Sequence, residues 1–416
     1  MALEIRTLTS RDELPGWFRA VNVGFLRGGT VSEEEVAVRT PDIDMDRTQG
    51  AFDGGRCVGT FRTFAQEMTV PGGAALPSCA VTNVTVSPTH RRRGLLTRMM
   101  GSALTAAKER GDAFASLISA EYPIYGRYGF GPAAWTAEWE VDIARAGLDK
   151  RHSGPADGGR VDLADDEEIR TVGPTLHERH RALPHSQGVI DRPDRWWRIH
   201  TGQRRFPGDE FSPPFHAVHR DGRGEPQGFV SWTVRERWES KLPQNTAEVQ
   251  CLTALTPAAE RALWHFVLSI DWIVRVRSGH RAPDDVLPLL LPDPRAARLD
   301  TLADFLWLRP LDVPRMLEGR RYSVDRALVL DLHDPAGLAG GRYRLEAGPD
   351  GAACKTTGDS ADLALDIAEL GTLFLGDESA VRLAALGRAE ERSEGAAELA
   401  DTLFRTPRRA WCPDIF

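Results

Sequence analysis

The sequence predicts an α/β chain built on mixed sheets, divided into three consecutive segments, 1–147, 148–297 and 298–416. Three observations carry this. First, strand-like runs and apolar-periodic helices alternate through the first segment, so the two kinds of element succeed one another without segregating. Second, that order recurs weakly in the next segment. Asp221-Gly222 with Gly228-Phe229-Val230 echoes Asp53-Gly54 with Gly59-Thr60-Phe61. Thr253-Ala254-Leu255-Thr256-Pro257 likewise echoes Val84-Thr85-Val86-Ser87-Pro88, again before an apolar helix (Leu263 to Ile270). Third, the last segment turns to short strands around Asp334-Pro335 and Gly340-Gly341 and closes with a helix.

The elements follow in order. A short strand, Leu3 to Thr7, precedes helical residues from Asp12 to Phe25. Ala51-Phe52 and Cys57 to Phe64 flank Asp53-Gly54-Gly55-Arg56, a hairpin signal. Ala80 to Val86 is the next strand. Leu95 to Lys108 is helical, with Leu96, Met99, Met100, Ala103, Leu104 and Ala107 on one face. Phe114 to Ile118 reads as a buried strand. Residues 146–160 are polar and Gly-rich, which places a boundary there. In the last segment, Ala327 to Leu332 and Arg342 to Glu346 read as strands. Ala361 to Ile367 alternates like a strand, and Ala397 to Phe404 reads as a helix. Polar ends fray, whereas this chain closes with the apolar, aromatic Trp411 to Phe416, which is expected to dock onto protein.

Composition narrows the partners. A formal net charge of -8 disfavours nucleic acid. Five widely spaced cysteines, none in a C-x-x-C pair, read as buried thiols in a reducing cytoplasm. The first residues lack the basic and apolar regions of a signal peptide. No stretch approaches the ~18 consecutive apolar residues of a membrane helix. No metal-ligand set stands out: His177-Glu178-Arg179-His180 is not H-E-x-x-H and is expected to be a solvated helix face. Trp196-Trp197 is expected in the core of the second segment, and Glu33-Glu34-Glu35 at a helix start where it could also draw in cations.

The run V-T-V-S-P-T-H-R-R-R-G-L-L-T, Val84 to Thr97, carries the chemistry. A strand feeds a glycine-containing turn at a helix N-terminus, which aims several free backbone N–H groups at one spot. Arg91, Arg92 and Arg93 add positive charge there. The pattern is a pyrophosphate grip, and its expected owner is coenzyme A. No G-K-S/T follows Gly94, so it is not a Walker A loop, and G-x-G-x-x-G is absent. The second copy has Ala258-Ala259-Glu260-Arg261-Ala262 in place of the arginine turn, so the grip is expected to be lost there.

R-R-R-G-L-L matches the Q/R-x-x-G-x-G/A signature of GNAT acetyltransferases, with Leu96 at the usual last small position. Tyr125-Gly126-Arg127-Tyr128-Gly129-Phe130 looks like their Y-x-x-x-G-F segment. Together with I-Y-G-R-Y-G-F-G-P-A, Leu306-Trp307-Leu308-Arg309 and the terminal phenylalanine, the chain resembles the Eis (enhanced intracellular survival) type of N-acetyltransferase along its whole length. The resemblance implies tandem GNAT folds, the second degenerate, then a sterol-carrier-like domain. It also implies acetyl-CoA as co-substrate, a small-molecule amine as acceptor and a homohexamer. Carried onto this sequence, Val84, Thr85 and Val86 bind the acetyl-pantetheine arm. Arg92, Arg93, Gly94, Leu95, Leu96 and Thr97 hold the pyrophosphate, and Ala120 and Glu121 line the strand beside the cofactor. Tyr125 matches the general acid, and Phe416 the residue whose main-chain carboxylate is the general base.

These groups suit amine acetylation. The amine must lose a proton to a base, and the departing thiolate needs a proton or hydrogen bond, which a phenol supplies. A strand N–H near Val86 is placed to stabilise charge on the thioester oxygen. A terminal carboxylate starts near pKa ~3.5, so it acts through water or after desolvation. One departure stands out. Where aminoglycoside-acetylating relatives carry acids, this chain has Arg27 and Ile415, with Asp414 one residue further back as a partial substitute. Losing acids weakens the hold on a polycation. The rival function class is a non-catalytic acyl-CoA or lipid sensor.

Overall fold

The structure is a computed structural model and describes residues 3–147, 158–208 and 210–416. Most of the polar stretch read as a segment boundary, 148–157, lies outside the described residues. The first unit runs β1 (Glu4–Thr7), α1 (Leu14–Gly24), α2 (Glu33–Arg39), β2 (Thr48–Asp53), β3 (Arg56–Thr69) and β4 (Ala75–Val86). It continues with α3 (Leu95–Glu109), β5 (Phe114–Ile118), α4 (Tyr122–Tyr125) and β6 (Gly131–Asp142). Ser10 and Glu13 form a capping box ahead of α1, each satisfying a backbone N–H that the helix start leaves free. Leu14, Trp17, Phe18 and Val21 then face the core, and the Trp17 indole donates to the Gln49 carbonyl at 2.8 Å, tying α1 to β2.

Among the described residues twelve strands form one sheet that runs through both of the first two units. β1 to β5 lie in chain order, and β6 is separated from β5 by the strand Ala297–Pro310, antiparallel to both. The sequence placed Arg298 at the start of the third segment; the strand instead completes the large sheet. Its Leu306, Trp307, Leu308 and Arg309 are all buried, as a strand covered on both faces must be. The apparent repeat is real in topology. Asn245–Ala254 pairs in parallel with Ile273–Arg277 across the helix Pro257–Leu268, as β4 does with β5 across α3. In the second unit Thr256 caps that helix, accepting from Ala259 N at 3.1 Å, which occupies the position that Gly94 leaves uncapped in the first.

The third fold is a separate five-stranded sheet that includes Arg326–His333 and Gly341–Gly348, with the helices Ile367–Phe374 and Ala396–Phe404 in the same apolar core. The alternating run 361–367 is extended only over Leu363–Asp366; Ile367, Leu370, Leu373 and Phe374 recur at helical spacing and start a helix. On α3 the buried face begins at Leu95, with Leu96 half-buried beside it. The expected solvated face at His177 is also corrected. Its ring is buried against the helix Asp194–His200 and bonds the Ile190 carbonyl at 2.8 Å, and burial holds its pKa well below the usual range. Trp197 is in the core as expected, with Trp196 half-buried against it.

Candidate active site

The parallel ladder between β4 and β5 covers only Ser78 to Ala80 on β4. Beyond Ala80 the two strands diverge: β5 stays paired on its other edge to Ala297–Pro310, and β4 stays with β3. Asn83, at φ 51, bulges β4 inside the divergent part. On the β5 side, the backbone of Val84, Thr85 and Val86 therefore has no strand partner among the described residues. The bulge also sorts the side chains. Val84 and Val86 pack with α3, whereas the Thr85 hydroxyl faces α1, 3.4 Å from the Ala20 carbonyl and 2.7 Å from the Thr60 hydroxyl.

The loop after β4 is anchored and then left open. His90 is buried; it bonds the Asp53 carboxylate at 3.1 Å and the Thr89 hydroxyl at 2.8 Å, fixing the loop to the β2–β3 hairpin. Arg92 and Gly94 take positive φ (62 and 73), so the backbone kinks repeatedly ahead of α3, the kind of turn that forms an anion-binding nest. Arg91, Arg92 and Arg93 are exposed, and among the described residues none is in an ion pair. The first N–H groups of α3, from Leu95 to Thr97, have no side-chain cap among the described residues. Free donors, a helix N-terminus and unpaired guanidiniums together suit a diphosphate. Ala120 and Glu121 are exposed, directly after β5 and Ser119.

Tyr125 lies on α4 in the apolar cluster with Leu95, Met99, Val84 and Val86, on the α3 side of the sheet. It is 8% exposed, and its ring meets Phe130 edge-on at 6.2 Å. Burial, helped by the charge of Glu121, pushes its phenol up to about 12. Tyr128 instead bonds the Thr97 hydroxyl at 3.1 Å, and Tyr122 packs edge-on against Trp307 at 5.0 Å. Phe416 lies on the other side of the sheet. There its ring meets Phe64 of β3 edge-on at 5.9 Å and packs against the core it shares with Phe114 and Met68. Phe64 is in register with Ala80, the last β4 residue paired to β5, so Phe416 stands level with the point of divergence.

Asp414 cannot stand in for the lost acids. It is buried, with both carboxylate oxygens 3.1 Å from Arg192 Nε. Arg27 stacks on the exposed Phe25 at 5.4 Å, and Ile415 is exposed. Of the acidic run, Glu33 and Glu34 are exposed at the start of α2 and Glu35 pairs with Arg39 at 3.0 Å. Two groups escaped the sequence reading. The Ser119 hydroxyl, where β5 ends, is buried with no hydrogen-bond partner among the described residues. The guanidiniums of Arg62 and Arg195 both lie close to the Phe64 ring, 5.7 and 5.5 Å from its centroid. A lone charged residue between Phe61 and Phe64 in a strand-like run was the available signal for Arg62.

A divergent β4–β5 pair with an anion-ready turn leading into the next helix defines a GNAT-type acetyltransferase. Residues 4–133 and 188–310 each match the family described as acetyltransferase (GNAT) domain, and 313–413 match the sterol carrier protein domain. An N-acetyltransferase of Streptomyces avermitilis is 59% identical over 100% of this chain and 99% of its own. N-acetyltransferase Eis of Mycobacterium tuberculosis is 34% identical over 95% of each chain. The crystal structure of Eis1 from Mycobacterium abscessus superposes over 100% of both chains, at 30% identity and a TM-score of 0.84. The chain belongs to the Eis family of N-acetyltransferases, with tandem GNAT folds and a sterol-carrier-like third domain. Among the described residues no helix is long and apolar enough to cross a membrane, and no cluster of His, Cys, Asp and Glu is arranged to hold a metal ion.

Proposed function

We propose that this chain transfers acetyl from acetyl-CoA to an amine of a small molecule, with Tyr125 as general acid and the main-chain carboxylate of Phe416 as general base. The observation that carries this reading is the partition at the strand divergence, with Tyr125 among the cofactor-strand residues on the α3 side and Phe416 on the other. When bound, acetyl-CoA supplies the thioester. Val84, Thr85 and Val86 offer it a strand edge that β5 leaves uncovered, and Ala120 and Glu121 line the facing edge. Arg92, Arg93, Gly94, Leu95, Leu96 and Thr97 surround its pyrophosphate. The Phe416 carboxylate takes the amine proton, directly or through one water. Tyr125 gives a proton to the departing sulfur, and its raised pKa keeps it protonated for that role. Homohexameric assembly and a cytoplasmic location, where acetyl-CoA is supplied, belong to the same proposal.

The rival reading, a lipid or acyl-CoA sensor, draws less support. A cleft of about 580 Å³ in the third domain is lined by Asp331, His333, Asp366, Glu369 and Arg388, groups unsuited to a lipid tail. The test is Tyr125→Phe. Thiol release with a responsive amine is expected to fall about 10²- to 10⁴-fold, while calorimetry finds acetyl-CoA binding essentially intact. Unchanged turnover removes Tyr125 from the mechanism. Acetyl-CoA binding without turnover of any amine in a panel of aminoglycosides, polyamines, arylamines and lysine peptides favours the sensor.

A further inference from the structure

Arg62 and Phe64 alternate along β3 on the face away from α3, the face on which Phe416 lies. The Phe64 ring gathers charge around it. The guanidinium carbon of Arg62 is 5.7 Å from its centroid and that of Arg195, from the second unit, is 5.5 Å away. Neither has a carboxylate partner among the described residues. Arg62 donates to the Asp42 backbone carbonyl at 2.6 Å, but the Asp42 side chain is taken by Arg204 at 3.1 and 2.7 Å. The Arg62 Nε is buried with no hydrogen-bond partner among the described residues. Arg192, three residues before Arg195, takes Asp414, so the tail brings no spare side-chain acid to this spot. Desolvation and then the charge of Arg195 bring Arg62 down to about 10, which leaves it cationic at neutral pH. Arg27 adds a further exposed cation just beyond α1, whose end abuts Thr85 on the same face.

Two neighbouring guanidiniums without an acid repel each other, and an orphaned buried donor is costly. If the Phe416 carboxylate compensates one of them, a unit of positive charge remains beside the place where the acceptor must stand. We propose that the acceptor carries a carboxylate as well as its amine, and that Arg62 and Arg195 hold that carboxylate while the amine faces the thioester. Guanidiniums suit this task because their planar fork matches both oxygens of a carboxylate. The site is then selective against polycations, which meet like charge. This assignment rests on the transferase reading above.

The experiment compares matched amines by kcat/KM: phenethylamine against phenylalanine, benzylamine against 4-(aminomethyl)benzoate, and spermidine as a polycation. The acid-bearing partner is expected to win by at least about tenfold, the size of one charge-assisted contact. Arg195→Gln is expected to erode that ratio, mainly through KM, and Arg195→Glu to shift preference toward spermidine; circular dichroism checks that both variants fold. Acetylation of benzylamine or spermidine with no gain from a carboxylate, or a ratio unmoved by Arg195→Glu, overturns this assignment and leaves the transferase reading standing. Bound acetyl-CoA with no thiol release from any amine overturns both.

Discussion

At Tyr125 the proposed role and the environment agree in sign. Burial disfavours the phenolate, so the pKa rises to about 12 and the proton is retained through and beyond neutrality. A group with a raised pKa leaves its protonated form only above that value. Ionisation of Tyr125 is therefore expected to put no alkaline limb on kcat below about pH 11. Steady-state thiol release up to pH 10 checks this, alongside an ultraviolet titration of wild type against Tyr125→Phe. A fall in kcat near pH 9 that vanishes in the variant would contradict the assignment. The cysteines add a second expectation at this scale. Four of the five are buried, and burial pushes Cys57 and Cys354 up to about 12, so little reactive thiolate exists at these two. Native protein is expected to react slowly with a chromogenic disulfide reagent at pH 8, and all five thiols to react once it is denatured. Fast native labelling would show that the thiols are accessible.

The element that holds Tyr125 is fixed from far along the chain. Arg309 is fully buried; it donates to the Tyr128 carbonyl at 2.8 Å and pairs with Asp334 of the third domain at 2.8 Å. Gly129 closes that turn at φ +81, and a Cβ there would lie 2.6 Å from Arg309 Nε and 2.9 Å from Ile367 Cγ2. Gly129→Ala is thus both strained and overpacked. It is expected to cost about 1–3 kcal/mol in denaturant unfolding and to lower turnover more than acetyl-CoA affinity. Wild-type stability in that variant would mean the turn is not held as described. The turn's glycine was visible in the sequence, but its partners were not. Local features were legible: the Asp53-Gly54-Gly55 hairpin, the face of α3 and the strand–arginine–helix run each reside in adjacent residues. The place of Ala297–Pro310 in the large sheet was not legible because its neighbours, β5 and β6, lie far back in the chain. The burial of His177 was not legible because what covers and bonds its ring, Trp197 and the Ile190 carbonyl, lies beyond its own helix. The Arg62–Phe64–Arg195–Phe416 cluster unites three parts of the chain, so no local pattern announced it.

Across the whole molecule, the tail joins the second and third domains and delivers Phe416 to the first. Gln187 donates its side-chain amide to the Arg408 carbonyl at 2.7 Å, and its main-chain carbonyl accepts from Trp411 N at 3.1 Å. Trp411 donates to the His280 carbonyl at 3.1 Å, with the Arg281 guanidinium 4.6 Å from its ring. Arg409 pairs with Asp377 at 2.6 Å, and Arg192 with Asp414 at 3.1 Å. The last pair is the most consequential, because its side chains are only 2% and 5% exposed. Removing one partner strands a buried charge, so Asp414→Ala is expected to cost about 3–5 kcal/mol and to release the end of the tail from its seat. Replacing both partners by apolar residues removes the stranded charge, so Arg192→Met with Asp414→Leu is expected to recover most of that stability. The pair of variants separates anchoring from chemistry. If the tail works by placing the Phe416 carboxylate, thiol release should fall in Asp414→Ala and return with the double variant, in step with thermal unfolding. A C-terminal affinity tag should suppress turnover without lowering stability, since it displaces the carboxylate and leaves the Arg192 pair intact, whereas an N-terminal tag should do neither. Equal rates for the two tagged forms would remove Phe416 from the reaction while leaving the tail its structural part.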